Sequence, residues 1–228
     1  MGYLENLDKQ LFLLLNGSDS LVMDGFAMTE TSHFAWILFV LAIFYLILKS
    51  NNLQKSLLIF CILALLYLLS DTVVASFFQP MFARLRPGMD LTFVHMVDSV
   101  KGTTGGIHCM ISNQASKLMA ITLFLSLVFR SMRFFGVSLC WTLLHSYILL
   151  YLGYYFPSDI LFGFIWGALV AVGSYFLYFK INNKFFTSRS LKSDQSTSSG
   201  YLYVDILFVE CVALFNLIGI IIMSFINN

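Results

Sequence analysis

A chain of 228 residues that is 59% hydrophobic and only 11% charged, with a mean hydropathy of +0.83, carries far more apolar side chain than a soluble domain can bury. Composition therefore excludes an ordinary soluble globular protein and marks an integral membrane protein. The formal net charge of +1 gives no electrostatic footprint for nucleic acid. Cys61, Cys109, Cys140 and Cys211 are scattered and read as small hydrophobes, with no spacing for a metal or a disulfide framework.

In chain order, residues 1–16 predict an amphipathic helix with Leu4, Leu7, Leu11, Leu14 and Leu15 near one face and Glu5, Asp8, Lys9 and Gln10 around the rest. It is too short and too charged to span, so an interfacial position is expected. No basic stretch followed by an apolar core marks the N-terminus as a cleavable signal. Asn16-Gly17-Ser18 has C-cap chemistry, and residues 21–28 predict a second short interfacial piece. Six apolar runs follow, at about 33–48, 56–78, 114–129, 134–154, 158–179 and 201–226, each near the length that crosses a bilayer as a helix. Asp71 interrupts the second run and is expected at a polar helix contact. A long polar loop, 79–112, holds Arg84, Arg86, Asp90, His95, Asp98, Lys101 and the glycine-rich stretch 102–106. Residues 181–200 are rich in Ser, Lys, Asn and Thr and read as a solvated linker. The sixth run contains Asp205 and Glu210, acids that at membrane depth usually mean helix pairing or headgroup depth. The expected division is a membrane domain at 1–180, the linker at 181–200 and an additional C-terminal span at 201–228.

Basic residues orient the bundle. Lys49, Lys55, Arg130, Arg133, Lys180, Lys184, Arg189 and Lys192 follow the first, third and fifth runs, which the positive-inside rule places in the cytoplasm. The loops carrying Arg86 and Asp159 then face outward.

Three blocks carry chemistry. They are Gln79-Pro-Met-Phe-Ala-Arg-Leu-Arg-Pro87, Met110-Ile-Ser-Asn-Gln-Ala-Ser116 and Tyr151-Leu-Gly-Tyr-Tyr-Phe-Pro-Ser-Asp159. The last ends one apolar run and opens the next, where Ser158 or Asp159 suits a helix N-cap and the positive end of the helix dipole. Together the blocks resemble the type-2 phosphatidic acid phosphatase superfamily of membrane lipid phosphatases, which also contains the vanadium haloperoxidases. The resemblance covers about residues 7–172. It implies an all-α polytopic membrane helix bundle of about six transmembrane helices, and no cofactor or metal. It also implies a lipid substrate class and a bacterial cytoplasmic membrane.

The family pattern is K-x6-R-P, P-S-G-H and S-R-x5-H-x3-D. In it one His attacks phosphorus, an Asp orients that His, a second His protonates the leaving oxygen, and Lys and Arg hold the phosphoryl oxygens. Here Arg86, Ser112 and Asp159 stand at their family positions. The Lys position holds Gln79, the acid position Gln114, the second Arg position Leu149 and the nucleophile position Tyr155. Gln cannot act as an acid at neutral pH, and a phenol with an ordinary pKa of about 10 replaces imidazole poorly. The expectation is a catalytically degenerate relative that binds a phospholipid or polyprenyl phosphate headgroup through Arg86, with Arg84 and Ser112 as further phosphate contacts. Two alternatives stay open. One is an active lipid phosphatase or phosphotransferase with a rearranged site that uses His108 or Tyr155, His108 being the surrogate imidazole ahead of His95 and His145. The other is a structural or partner-binding membrane protein, favoured if aromatic side chains fill the pocket mouth.

Overall fold

Long runs of Leu, Ile, Val and Phe leave the backbone few ways to satisfy its amides in a bilayer, and the chain answers with helices. The computed structural model describes residues 3–17, 20–98, 100, 106–185 and 195–226, among which there are isolated bridges and no strand. Ser18, Lys101, most of the glycine-rich stretch, and Arg189 and Lys192 of the linker lie outside the described residues. Helix α1 is Tyr3–Leu15 and α2 is Leu21–Glu30. A 3₁₀ turn, His33–Trp36, leads into α3, Ile37–Ser50. Helix α4, Leu53–Val73, continues through a π-helical turn, Val74–Phe78, into α5, Gln79–Phe82. Then come α6, Asn113–Phe129; α7, Met132–Tyr151; α8, Pro157–Phe185; and α9, Tyr203–Ile226.

Four helical stretches among the described residues are long and apolar enough to cross a membrane: Leu53–Phe82, Met132–Tyr151, Pro157–Phe185 and Tyr203–Phe225. The shorter apolar helices α3 and α6 pack among them in one hydrophobic core. The all-α membrane bundle expected from the sequence is the architecture found. Boundaries shift by a few residues: α7 ends at Tyr151, short of 154, and α8 runs past 179 to Phe185. Lys180, Asn182 and Lys184 end the apolar run without ending the hydrogen-bond ladder, because hydropathy marks the bilayer edge and not the helix end.

The close crossing of α6 and α8 rests on glycine. A Cβ on Gly163 would stand 2.7 Å from the Ser112 carbonyl oxygen, and one on Gly167 would clash with that of Ser116. This Gly-x-x-x-Gly face brings the two backbones together as small residues do in membrane helix pairs. It also fixes the start of α6 against the start of α8, where two of the three sequence blocks lie.

Helix α1 wraps the end of the bundle at which α8 starts. Its Leu7, Leu11 and Leu14 face outward, while Asp8 and Phe12 are buried. In a membrane protein the apolar stripe meets lipid and the polar side meets protein. At its end the Asn16 carboxamide donates to the carbonyls of Tyr151 (2.9 Å) and Asp98 (3.1 Å) and accepts from the Asp98 amide (2.8 Å). Gly17, at φ +65°, lies so near Asp98 that a Cβ would clash with its side chain. Asn16 and Gly17 thereby tie α1, the polar loop and the end of α7 together.

Helix α9 packs against α2 and α3. Asp205 pairs with Lys49 at 2.7 Å, and Glu210 stands 3.7 Å from Arg133. Both acids join helices, as intramembrane acids usually do. His145 of α7 meets the fully buried Glu30 of α2 at 2.8 Å, beneath the edge of Trp36. That engagement leaves His145 a helix joint.

Candidate functional site

The three sequence blocks converge at one end of the bundle. The 84–87 segment pairs with 107–109: Arg86 N–H donates to the Ile107 carbonyl (3.1 Å) and Cys109 N–H to that of Arg84 (3.0 Å). Ser112 caps α6, its hydroxyl accepting from Ala115 N–H, and its own N–H donates to the Asp159 carbonyl at 2.8 Å. Gly153, at φ +76°, reverses the chain after α7 and delivers Tyr155 and Phe156 inward.

The two arginines have different fates. Arg84 is enclosed by acids, donating to Asp8 (2.6 Å), Asp159 (2.9 Å) and the Ser158 hydroxyl (2.8 Å), and its guanidinium stacks on Phe156 at 4.2 Å. Asp8 also accepts from Ser158 N–H and hydroxyl, so α1 is bolted to the start of α8. Asp159 accepts from Phe156 N–H with its other oxygen. It faces Arg84 and its own turn.

Arg86 pairs with no acid among the described residues. Its Nε donates to the His108 carbonyl (3.0 Å) and its Nη2 to the Tyr155 hydroxyl (3.1 Å), with the guanidinium 4.5 Å from the Tyr155 ring centre. The phenol in turn donates to Asn113 Oδ1 at 2.7 Å. Asn113 Nδ2 donates to Asp71 (2.8 Å), and Lys117 closes the chain on Asp71 at 2.9 Å. Asp71 is thus the polar helix contact expected of it. Five side chains from two loops and two membrane helices form one path: Arg86, Tyr155, Asn113, Asp71 and Lys117. Burial pushes the Tyr155 phenol above its ordinary pKa, against the opposing pull of Arg86, so it stays a neutral donor.

Apolar side chains fill the space around this path. Leu149 and Tyr155 are buried together with Phe12, Phe93, Cys109 and Phe156 in one cluster. Phe12, Phe93 and Phe156 contact one another ring to ring. Burial also pushes the Cys109 thiol well above its usual range, and it donates to the Leu85 carbonyl at 3.2 Å.

The structure therefore brings together Arg86, Ser112, Tyr155, Leu149 and Asp159. Gln79 reaches the edge of the group, donating to the Ile111 carbonyl at 3.4 Å. Gln114 is exposed, and its side chain makes no hydrogen bond among the described residues. His108 contributes its carbonyl to Arg86, and its imidazole bonds to neither Arg86 nor Asp159. His95 is exposed. Sequence reasoning missed Asn113, Lys117, Asp8 and Cys109. Lys117 and Asp71 were legible as the polar residues of apolar runs, and the Asp8–Arg84 pair spans 76 positions and leaves no local signal.

Comparison with known proteins agrees with the geometry. A sequence model of the PAP2 superfamily matches residues 58–183. The chain is 30% identical over 180 residues to a protein of Porphyromonas gingivalis named lipid A 4'-phosphatase, covering 78% of this chain and 75% of that one. It is 30% identical over 230 residues to a protein of the same name from Bacteroides thetaiotaomicron, covering 99% of each. No solved structure gives a significant match.

Proposed function

This chain belongs to the membrane lipid phosphatase branch of the PAP2 superfamily, and from that premise we propose that it is a non-hydrolysing member that holds a phosphorylated lipid headgroup without cleaving it. The observation that carries the reading is Tyr155. It stands at the nucleophile position, is fully buried, and is hydrogen-bonded through its hydroxyl to both Arg86 and Asn113.

Each step of the family reaction lacks its group here. A neutral phenol with a raised pKa does not attack phosphorus as imidazole does. Gln114 has no proton to give a leaving oxygen at neutral pH. Leu149 offers no donor to the transferring phosphoryl group and is packed among aromatic rings. Asp159, with no imidazole to orient, holds Arg84.

What remains is charge. Arg86 is half-buried and uncompensated, because its present partners are a carbonyl and a phenol. A phosphate competes with such partners on favourable terms, since it adds Coulomb attraction and a bidentate geometry that a neutral carbonyl or phenol does not offer. Arg84 is a positioning charge in this reading, and Ser112 lends its backbone geometry. The relatives' names point to a phosphorylated saccharolipid of the lipid A type as the first ligand class to test, ahead of simple phospholipids and polyprenyl phosphates. The distribution of basic residues supports a site on the outer face of a bacterial cytoplasmic membrane. The lipid-binding unit in this reading runs through the end of α8 at Phe185, and the chain then leads into α9, which packs in the same core.

The test is binding of bis-phosphorylated lipid A to the protein in nanodiscs, beside Arg86→Ala. The expected result is saturable binding that weakens about tenfold or more in the variant. Binding indifferent to Arg86 would sink the headgroup reading and favour a partner-binding protein, which the aromatic filling also suits. The relatives' names favour turnover through a rearranged site as the other reading. Its surrogate imidazole, His108, has no ring contact with Arg86 or Asp159.

A further inference from the structure

Lys55 and Arg130 also stand without a paired acid among the described residues, at the opposite end of the bundle from Arg86. There, the start of α4, the end of α6 and the end of α8 meet the loop that enters α9 and enclose a cavity of about 220 Å³. Lys55, Arg130, Tyr178, Asn182 and Ser199 line it, and among the described residues no carboxylate does. Lys55 is half-buried, and neither it nor Arg130 pairs with an acid among the described residues. The acids described at this end are engaged elsewhere, Asp205 with Lys49 and Glu210 beside Arg133. Asn182 is 9% exposed, and its buried Oδ1 has no hydrogen-bond partner among the described residues.

A plain structural account covers only part of this. Arg130 closes α6, where a cation suits the negative end of the helix dipole. That leaves Lys55 desolvated without a counter-charge and Asn182 buried without a partner, and each costs stability unless something fills the space. The cavity wall is also held in place. Ser199 Oγ donates to the Phe129 carbonyl at 2.7 Å, and Thr197 N–H to that of Tyr201 at 2.8 Å.

We propose that this cavity is a second anion site, built for one phosphate group. Lys55 and Arg130 supply the charge, and Tyr178 supplies a hydroxyl, while Ser199, whose proton is held by the Phe129 carbonyl, only shapes the wall. The Asn182 carboxamide presents its oxygen to a protonated phosphate or, turned over, its two N–H groups to an ionised one. The phosphate belongs either to a lipid headgroup of the adjoining leaflet or to a soluble phosphorylated molecule. The site lies at the far ends of α4, α6 and α8 from Arg86 and does not depend on the function proposed for Arg86.

The experiment uses the full chain carrying Arg86→Ala, so that the outer site contributes nothing, in nanodiscs of phosphatidylcholine. Thermal midpoints are followed against inorganic phosphate, against glycerol phosphate, and with phosphatidate added to the disc, each at constant ionic strength. A ligand that binds the native state raises the midpoint with concentration. The expected result is such a rise, with Lys55→Gln and Asn182→Ala each requiring about tenfold more ligand. A rise with glycerol phosphate identifies a soluble source, and a rise with phosphatidate alone identifies the lipid; either supports the site. Arg130→Gln, at an exposed side chain, keeps the test decisive if Lys55→Gln does not fold. No rise in any arm, or an undiminished rise in Arg130→Gln and Asn182→Ala, overturns the proposal.

Discussion

Replacing Tyr155 by Phe removes one oxygen from the site and leaves the ring in its packed position, which is 1% exposed. That oxygen accepts from Arg86 at 3.1 Å and donates to Asn113 at 2.7 Å. A hydrogen bond to a charged partner contributes about 1.5–3 kcal/mol, and a neutral one about 0.5–1.5 kcal/mol. Arg86 is half-buried and recovers part of its loss from water, so the sum is about 2–3 kcal/mol. For a protein of this size each kcal/mol moves the melting temperature by about 2–4 °C, so the variant should melt roughly 5–10 °C lower. The same substitution frees Arg86 Nη2, so affinity for bis-phosphorylated lipid A should rise several-fold as stability falls. The assay is a thermal melt in detergent beside a lipid titration, for Tyr155→Phe, Arg86→Met and the double variant. Coupling between the two positions should be about 0.5–3 kcal/mol. Additive effects, with lipid affinity unchanged in Tyr155→Phe, would refute the idea that the phenol occupies Arg86.

Three further outcomes follow from the packing and the charges. Gly167→Ala places a Cβ against the Ser116 carbonyl and should cost about 1–3 kcal/mol or more, whereas Gly173→Ala, with open space around it, should be close to neutral; paired thermal melts check this. Cys109, buried with its thiol pKa pushed up, should resist maleimide at neutral pH until the protein is denatured, as read by mass spectrometry. Asp90 has its pKa held down by the Thr92 hydroxyl, with Lys9 adding to the effect. A depressed carboxylate stabilises the fold above its ordinary pKa of about 4, and that stability is lost as pH falls through the folded-state value. The melting gap between wild type and Asp90→Asn should therefore be open at pH 6 and close in strong acid; a gap that widens in acid would contradict the pairing.

The helices were legible because each apolar run has to be satisfied as a helix in lipid, and all six runs found one. The family resemblance was what aligned Arg86, Ser112, Leu149, Tyr155 and Asp159, which do lie together, whereas Gln79 reaches only their edge and Gln114 stands exposed. Partner choice was not legible. Arg84 and Arg86 are two residues apart in the same motif. One is enclosed by Asp8 and Asp159, and the other is left to a phenol and a carbonyl. That difference is set by where α1 lies, and α1 presents its leucines outward because lipid reverses the usual sense of inside. Gly163 and Gly167 were readable as a small-residue face four apart, yet their consequence depends on the Ser112 and Ser116 carbonyls of a different helix.

The most direct test of the account is inorganic phosphate released from bis-phosphorylated lipid A by the purified, detergent-solubilised protein, with Arg86→Ala run alongside. A filled nucleophile position and a glutamine in place of the acid predict no release above that of the variant. Release by the native protein that disappears in Arg86→Ala would contradict the account and place a working nucleophile in this loop cluster.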